Sequence, residues 1–358
     1  MNNNSDSTLI IDLKKLQQNY KIIQKRTPKS EVWAVVKANA YGLGVNQVAN
    51  ALIKSGCNTF FVATLDEGLE LRNITKKSTI YVFHGVRGGQ EKLFYNNKIV
   101  PILNDIGDIG VWKKFATTCN KKLPAAIHID TGMNRLGFGL DDAMETQSFK
   151  LEFMMSHLAC ADDKDHPKNK EQLINFNRAR KLFPGIKYSF ANSAGIFSDK
   201  CYHFDIVRPG CSLYGVNPTK SQKNPVNNVI KLNSKIIQIR KLTKQETIGY
   251  GATAKLKSGS KIAVIPVGYA DGYLRALSNH SYCYIDNIKT PVIGRISMDL
   301  ITIDVTSLPD NKLYIGKEVE LIGEKITVDD LANNAKTIGY EILTRLGSRF
   351  KRVYLNNE

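Results

Sequence analysis

Val32-Trp33-Ala34-Val35-Val36-Lys37-Ala38-Asn39-Ala40-Tyr41-Gly42-Leu43-Gly44 passes from an apolar run into a lysine, small residues, a tyrosine and two glycines. Apolar runs of this length form strands buried on both faces, as in parallel sheets. Lys37 then stands where a buried strand opens into a loop, at the edge of the low-dielectric interior. Desolvation lowers a lysine's pKa, and a neutral amine can attack a carbonyl carbon to form an imine. Taken alone, the segment is more simply a surface lysine opening an ordinary loop, so the rest of the chain has to decide.

The same succession repeats through the first two-thirds of the chain: a short apolar run, a turn with Gly or Asn, a helical stretch. The runs cover residues 32–36, 59–63, 79–83, 99–103, 125–129, 151–155, 187–191 and 204–207, and stretches such as 45–55 and 170–183 are long enough for helices. Buried strands alternating with helices imply right-handed crossovers and a parallel sheet. Eight units predict closure into a TIM-like (β/α)8 barrel, a fold of roughly 250 residues. An open doubly wound sheet is the alternative, but no Gly-x-Gly-x-x-Gly follows the first run.

The texture loosens over residues 217–228, where Asn217-Pro218-Thr219-Lys220-Ser221-Gln222-Lys223-Asn224-Pro225 reads as a linker. Beyond it, runs at 230–242, 261–267, 281–285, 290–293, 300–305 and 318–322 predict a mainly β domain. A helical stretch at 328–336 and a charged tail at 349–354 close the chain. The predicted division is a barrel over residues 1–226 and a mainly β domain over 227–358.

The 358 residues suit two domains, and 42% hydrophobic with 23% charged residues is a globular composition. A net charge of +17 raises the question of nucleic acid, yet the lysines fall in ones and twos, as in Lys76-Lys77, Lys113-Lys114 and Lys121-Lys122. No basic stripe interleaved with aromatics is visible, nor any finger or helix-turn-helix spacing, so no nucleic-acid partner is expected. The basic surface is read as one that attracts anionic small molecules. No apolar run approaches the ~20 residues that cross a bilayer. Residues 1–7 lack the charged and apolar regions of a signal peptide, so a cytoplasmic location without a membrane partner is expected. Six cysteines form no C-x-x-C pair and six histidines stand apart, so no metal site is expected.

In a barrel of this kind, chemistry gathers at the carboxyl ends of the strands. Those ends hold Lys37 with Tyr41, Asp130-Thr131-Gly132-Met133-Asn134-Arg135-Leu136-Gly137, Ser156-His157, Asn192-Ser193-Ala194-Gly195 and Arg208-Pro209-Gly210. A lysine, two arginines, a histidine, a serine and a glycine-bearing turn would share one mouth. That inventory suits an anionic, carbonyl-bearing cofactor, with Ser193 and the Gly210 amide for a phosphate and Lys37 for the aldehyde. Each residue also has a plainer role: His157 in a core hydrogen bond, Arg135 in a salt bridge, Gly210 in a turn. Convergence on one face weighs against those.

The chain resembles the alanine racemases, pyridoxal-phosphate enzymes built from a barrel and a β domain, between residues 10 and 354. The resemblance is carried by Val36-Lys37-Ala38-Asn39-Ala40-Tyr41-Gly42, the Asp130–Gly137 segment quoted above and Arg208-Pro209-Gly210 with Leu213-Tyr214-Gly215. Gly249-Tyr250-Gly251, Gly268-Tyr269-Ala270-Asp271-Gly272 and Met298-Asp299 follow in the family's order. It implies that Lys37 holds pyridoxal 5'-phosphate and is one of two catalytic bases, the other being Tyr250 delivered by the partner subunit of a homodimer. Racemisation takes the α-proton from one face and returns a proton to the other, so two groups must flank the substrate.

The same resemblance places His157 against Tyr250, with Arg208 behind it and on the cofactor's pyridine nitrogen. Arginine's reluctance to release a proton suits racemisation over transamination. Tyr41, Ser193, Gly210 and Tyr340 match phosphate contacts, with Asn192 beside them. Arg135 and the backbone of Met298 match the binders of the substrate carboxylate, and Tyr269, Arg275 and Asp162 match the lining of the entrance. Two departures stand out. His128 lies seven residues before Arg135, where some members carry a carbamylated lysine, which leaves open how Arg135 is held. Gly249 precedes Tyr250 where a serine is common.

The expected activity is interconversion of L- and D-alanine for peptidoglycan precursors. One alternative is a racemase of broader range, such as for serine, since a methylene gives only ~1–3 kcal/mol of discrimination. A related decarboxylase would need a cysteine where Gly249-Tyr250-Gly251 stands. A non-catalytic protein of pyridoxal-phosphate homeostasis would lack the domain after Asn228.

Overall fold

The computed structural model describes residues 5–139, 149–219 and 223–356. Strand β1 (Ser7–Asp12) leads into a helix at Leu13–Arg26. Nine short strands follow: β2 (Glu31–Val32), β3 (Ala34–Val35), β4 (Thr59–Val62), β5 (Thr79–Val82), β6 (Ile99–Leu103), β7 (Pro124–His128), β8 (Lys150–Met155), β9 (Lys187–Asn192) and β10 (Ile206–Arg208). β2 and β3 are the halves of the first predicted strand, interrupted at Trp33, and they close the barrel. β2 pairs in parallel with β10 through Val32 and Val207, and β3 pairs in parallel with β4 through Ala34–Phe60 and Val35–Phe61. From β4 to β10 each strand pairs in parallel with the next. The eight apolar runs are the eight staves.

Rings from distant staves meet in the middle. Trp33 stacks on Tyr81 at 5.4 Å and meets Phe153 edge-on at 5.3 Å, while Tyr81 and Phe153 lie 4.9 Å apart. Strands that are not neighbours can touch only inside the barrel, so these rings form a packing layer. On the outside, the helix Val45–Lys54 buries Val45, Val48, Ala49 and Leu52, a stripe at helical spacing.

The later strands are β11 (Ile230–Lys235), β12 (Gln238–Lys241), β13 (Glu246–Ile248), β14 (Ala254–Leu256), β15 (Lys261–Ile265), β16 (Tyr282–Ile285), β17 (Ile288–Pro291), β18 (Ile301–Asp304), β19 (Glu318–Ile322) and β20 (Lys351–Leu355). They build a six-stranded sheet in the order β17-β16-β19-β11-β1-β20, a three-stranded sheet β12-β15-β18 and the hairpin β13-β14. β1 thus lies inside the β unit, antiparallel to β11 and parallel to β20.

The compact units are Leu16–Asn227, and the residues up to Lys15 together with those from Asn228 onward. The division expected from sequence, with residues 1–226 in the barrel, is corrected at its start. Leu9 and Ile11 are fully buried on one face of β1, and the strand's pairing partners lie far along the chain. The single strand expected over 230–242 is two strands in different sheets, because Ile236 N–H bonds to Lys317 O and Ile237 N–H to Val264 O. The tail at 349–354 overlaps β20, and a helix at Gly339–Arg345 adds to the one starting at Val328. Of the expected linker, residues 220–222 lie outside the described residues.

Candidate active site

Lys37 follows Val36, the residue just beyond the end of the first stave, and opens a tight turn in which Ala38, Asn39, Ala40 and Tyr41 have φ of 53°, 52°, 53° and 55°. Four successive non-glycine residues in the left-handed region cost roughly 1–2 kcal/mol each. Hydrogen bonds hold the turn nonetheless. Ala40 N–H donates to Val36 O at 2.9 Å and Gly42 N–H to Ala38 O at 2.8 Å, while Ala38 N–H reaches Glu67 Oε1 at 2.7 Å. Glu67 is anchored in turn by the Ala63 N–H at 2.7 Å and by a capping box with Thr64. The Asn39 side chain accepts the Val45 N–H at 2.7 Å and starts the next helix. Burial lowers the pKa of the Lys37 amine, the Arg135 charge lowers it further, and Glu67 opposes both. The ammonium lies 5.8 Å from the Phe83 ring.

Arg208, at the end of the last stave, is 2% exposed. It donates to Ser189 Oγ at 2.5 Å, to Ser156 O at 2.6 Å and towards His157 Nδ1 at 3.4 Å. Among the described residues no carboxylate pairs with it. Burial pushes its pKa down to about 9, so it remains a cation at neutral pH. Arginine can only donate, so His157 Nδ1 is an acceptor and its proton sits on Nε2. Burial first, then the charges of Arg208 and Arg135, hold His157 well below the usual histidine range.

Between the first, seventh and eighth staves lies a cluster of donors. Ser193 Oγ accepts the Gly210 N–H at 2.9 Å and the Ser212 N–H at 3.3 Å, and meets Ser212 Oγ at 3.0 Å. Asn192 caps the helix that Ser193 opens, through the Gly195 N–H at 2.9 Å. Tyr41 stacks on Tyr214 with centroids 4.7 Å apart, and the Tyr214 hydroxyl donates to Val35 O at 2.9 Å. A Cβ at Gly210 would overlap the Tyr41 hydroxyl, so only glycine lets that hydroxyl approach this backbone. Buried hydroxyls and the Gly210 amide, gathered round Ser193 Oγ, form a cradle of the right chemistry for a phosphate.

The loop after the fifth stave is gathered by one carboxylate. Asp130 accepts the N–H groups of Gly132, Met133 and Asn134 at 2.8, 2.8 and 2.9 Å. Gly132 and Gly137 have φ of +127° and +115°, and a Cβ on Gly137 would meet Asp130 N at 2.7 Å, which explains both glycines of the motif. Arg135 is exposed on this loop and makes no hydrogen bond or ion pair among the described residues. The departure at His128 has a definite structure. Its Nδ1 lies 3.1 Å from Asn104 Oδ1, whose Nδ2 donates to Phe83 O and Ile102 O at 2.9 Å each. The amide oxygen is therefore what faces the ring, Nδ1 carries the proton, and Nε2 is left as an acceptor. Behind Asn104, its N–H donates at 2.9 Å to the buried Asp108 carboxylate, which pairs with Arg87.

The candidates thus divide between the units. Lys37, Tyr41, Arg135, His157, Asp162, Asn192, Ser193, Arg208 and Gly210 belong to the barrel, and Tyr250, Tyr269, Arg275, Met298 and Tyr340 to the β unit. Tyr250 is 72% exposed between Gly249 at φ +68° and Gly251 at φ +71°. Met298 is 53% exposed and Tyr269 43%. Sequence reasoning passed over Glu67, Ser212, Asn104 and Asp108. They act on backbone N–H groups and buried amides, and only the Thr64–Glu67 capping spacing gave a readable signal.

The family model described as the N-terminal domain of alanine racemase matches residues 11–218, and that of the C-terminal domain matches residues 229–354. The alanine racemase of Rhodospirillum rubrum is 42% identical over 97% of this chain and 95% of its own length. That of Rickettsia conorii is 43% identical over 97% and 99%. The crystal structure of alanine racemase from Bartonella henselae with covalently bound pyridoxal phosphate is 38% identical, with a TM-score of 0.93 over 98% of this chain and 99% of that one. Both halves of the chain are accounted for by one family, and the chain belongs to the alanine racemases.

Proposed function

We propose that this protein interconverts L- and D-alanine with pyridoxal 5'-phosphate held by the barrel. The working form is a homodimer, in which each substrate meets Lys37 of one subunit and the partner subunit's Tyr250. The observation that carries this reading is the set of groups at the strand ends. They are an amine of lowered pKa, a buried arginine that pairs with no carboxylate among the described residues, and the Ser193–Gly210 donors beside Tyr41. These residues fit a phosphate-bearing aldehyde. When bound, the cofactor supplies an imine-forming aldehyde and an electron-withdrawing ring that acidifies the amino acid's α-C–H.

Ser193, Gly210, Tyr41 and Tyr340 would hold the phosphate, with Asn192 fixing the turn that presents Ser193. Arg208 would donate to the ring nitrogen and keep its own proton, which limits the charge that the ring can take up. Lys37 takes and returns the α-proton on one face, and its lowered pKa suits an amine that must be neutral to accept it. The partner's Tyr250 does the same on the other face, with His157 donating from Nε2. Arg135 and the backbone N–H of the partner's Met298 receive the carboxylate, and Tyr269, Arg275 and Asp162 line the approach. The proposed role as a source of D-alanine for peptidoglycan precursors rests on the family resemblance, and a cytoplasmic location is proposed with it.

The test is racemisation of a panel of L-amino acids by the purified protein with added cofactor. Alanine is expected to be turned over fastest, ahead of serine and larger side chains. Borohydride reduction followed by mass spectrometry should leave a pyridoxyl mass on Lys37. Mixing inactive Lys37→Ala and Tyr250→Phe subunits should restore about a quarter of wild-type activity, since half the dimers then carry one intact shared site. No recovery after subunit exchange would rule out a site shared between chains.

A further inference from the structure

In the β unit one guanidinium joins the two loops that carry Tyr269 and Met298. Arg349 Nε and Nη2 donate to Asp271 Oδ1 and Oδ2 at 2.5 and 2.7 Å, and Nη1 donates to Asp299 Oδ1 at 2.7 Å. Asp271 is 3% exposed and also accepts the Gly268 N–H at 2.9 Å. Next to the two carboxylates runs a short backbone ladder. Tyr269 N–H donates to Ser297 O at 3.1 Å and Ala270 N–H to Met298 O at 3.0 Å. A Cβ on Gly268 would collide with the Met298 carbonyl, so the loops meet backbone to backbone. Arg349 therefore bridges the residue that follows each side of the ladder.

The ladder also aims a donor. No peptide bond is cis among the described residues, so the N–H of Met298 points opposite to the carbonyl of Ser297. That carbonyl is taken by Tyr269, which turns the Met298 N–H away from the 268–271 loop. Among the described residues this N–H donates to no acceptor. The turn behind it is closed by Ser297, whose Oγ accepts the Leu300 N–H at 3.0 Å.

We infer that Arg349 is a positioning residue for the substrate carboxylate. By bridging Asp271 and Asp299 it holds the ladder that aims the Met298 N–H and fixes Tyr269, and so sets affinity for the amino acid more than the rate of proton transfer. This rests on the reading above, in which the partner's Met298 meets the carboxylate. A purely structural ion pair would change stability alone and leave the two kinetic constants unsplit.

The experiment compares wild type, Arg349→Lys, Arg349→Ala and Asp299→Asn, each loaded with cofactor. The readouts are kcat, KM and the calorimetric Kd of propionate, which is alanine without its amine. Lysine keeps the charge but cannot fork across both carboxylates, so both arginine variants should raise KM and the propionate Kd about tenfold, the worth of one hydrogen bond. kcat should change by less than threefold and the Lys37 pyridoxyl mass should persist. Asp299→Asn cuts only one arm and should move the same constants by about threefold, which keeps the test open if Arg349→Ala does not fold. An unchanged KM, or a fall in kcat at constant KM, would overturn the inference while leaving the racemase reading intact. A wild type that racemises nothing would overturn that reading, and this inference with it.

Discussion

Burial and the Arg208 charge outweigh the opposing Asp130 carboxylate and keep His128 neutral. The residue is 6% exposed, and burial with the Arg208 charge holds its pKa at about 3. A neutral imidazole brings a lone pair near Arg135 but no negative charge, so the arginine's field is not cancelled locally. Lys37 and His157, lowered first by burial, both register that field as a further lowering of the pKa. The sign for stability follows from linkage. Unfolded, the ring titrates near 6.5, and folded it stays neutral to about 3. The unfolded chain thus binds more protons across that window, and stability falls as pH drops. One such histidine costs about 2 kcal/mol between pH 7 and pH 5. Urea unfolding at the two pH values should show that slope reduced in His128→Gln, which cannot titrate. Equal slopes would mean that the ring is protonated in the folded protein. Lys37, His157 and Arg208 could be picked out in the sequence because they end apolar runs. Asn104 also ends an apolar run, but a neutral amide there carries no charge or reactive group to single it out, and Asp108, serving a backbone N–H, leaves no spacing to read.

At the scale of the element, the turn after the first stave shows where propensity fails. Ala-Asn-Ala-Tyr has nothing in it that requires left-handed backbone, and alanine is the best right-handed helix former. The handedness comes from outside the segment. Glu67 takes the Ala38 N–H, Tyr41 packs on Tyr214 from the far end of the barrel sequence, and the Asn39 side chain accepts the Val45 N–H at the start of the helix Val45–Lys54. Such bonds are invisible in a local window, whereas the alternation of strands and helices is a property of local windows and was legible. The strain makes a signed prediction. Ala38 is exposed at φ +53°, so Ala38→Gly relieves the left-handed penalty and should raise stability by roughly 0.5–1 kcal/mol. Ala49, in the right-handed helix Val45–Lys54, gives the control, since Ala49→Gly should lower stability by at least about 1 kcal/mol through helix preference, with its buried methyl lost besides. Chemical unfolding of the two variants decides the matter. If both lose stability, the turn is not under strain.

For the whole molecule, the legible part was the barrel and the illegible part was where the chain begins. Each stave pairs with its neighbour in sequence, so order along the chain is order in the sheet. β1 breaks that rule: six residues of modest apolar content insert between β11 and β20, strands that come after the whole barrel. Sequence pattern fixes a strand's buried face but not its distant partner. An inserted strand satisfies two edges at once, and removing it would leave both open. Residues 228–358 by themselves should therefore aggregate or show no cooperative unfolding. The register supplies a repair, because Ile11 sits opposite Ile230 and Asp12 N–H donates to Val229 O at 2.8 Å. A polypeptide joining residues 1–12 to residue 229 through a two-residue Asn-Gly turn would make β1 and β11 an ordinary hairpin. That polypeptide should be soluble and unfold in one cooperative step by circular dichroism, and residues 16–227, whose staves close on themselves, should fold without it. Cooperative unfolding of residues 228–358 alone would show that β1 is dispensable to its sheet.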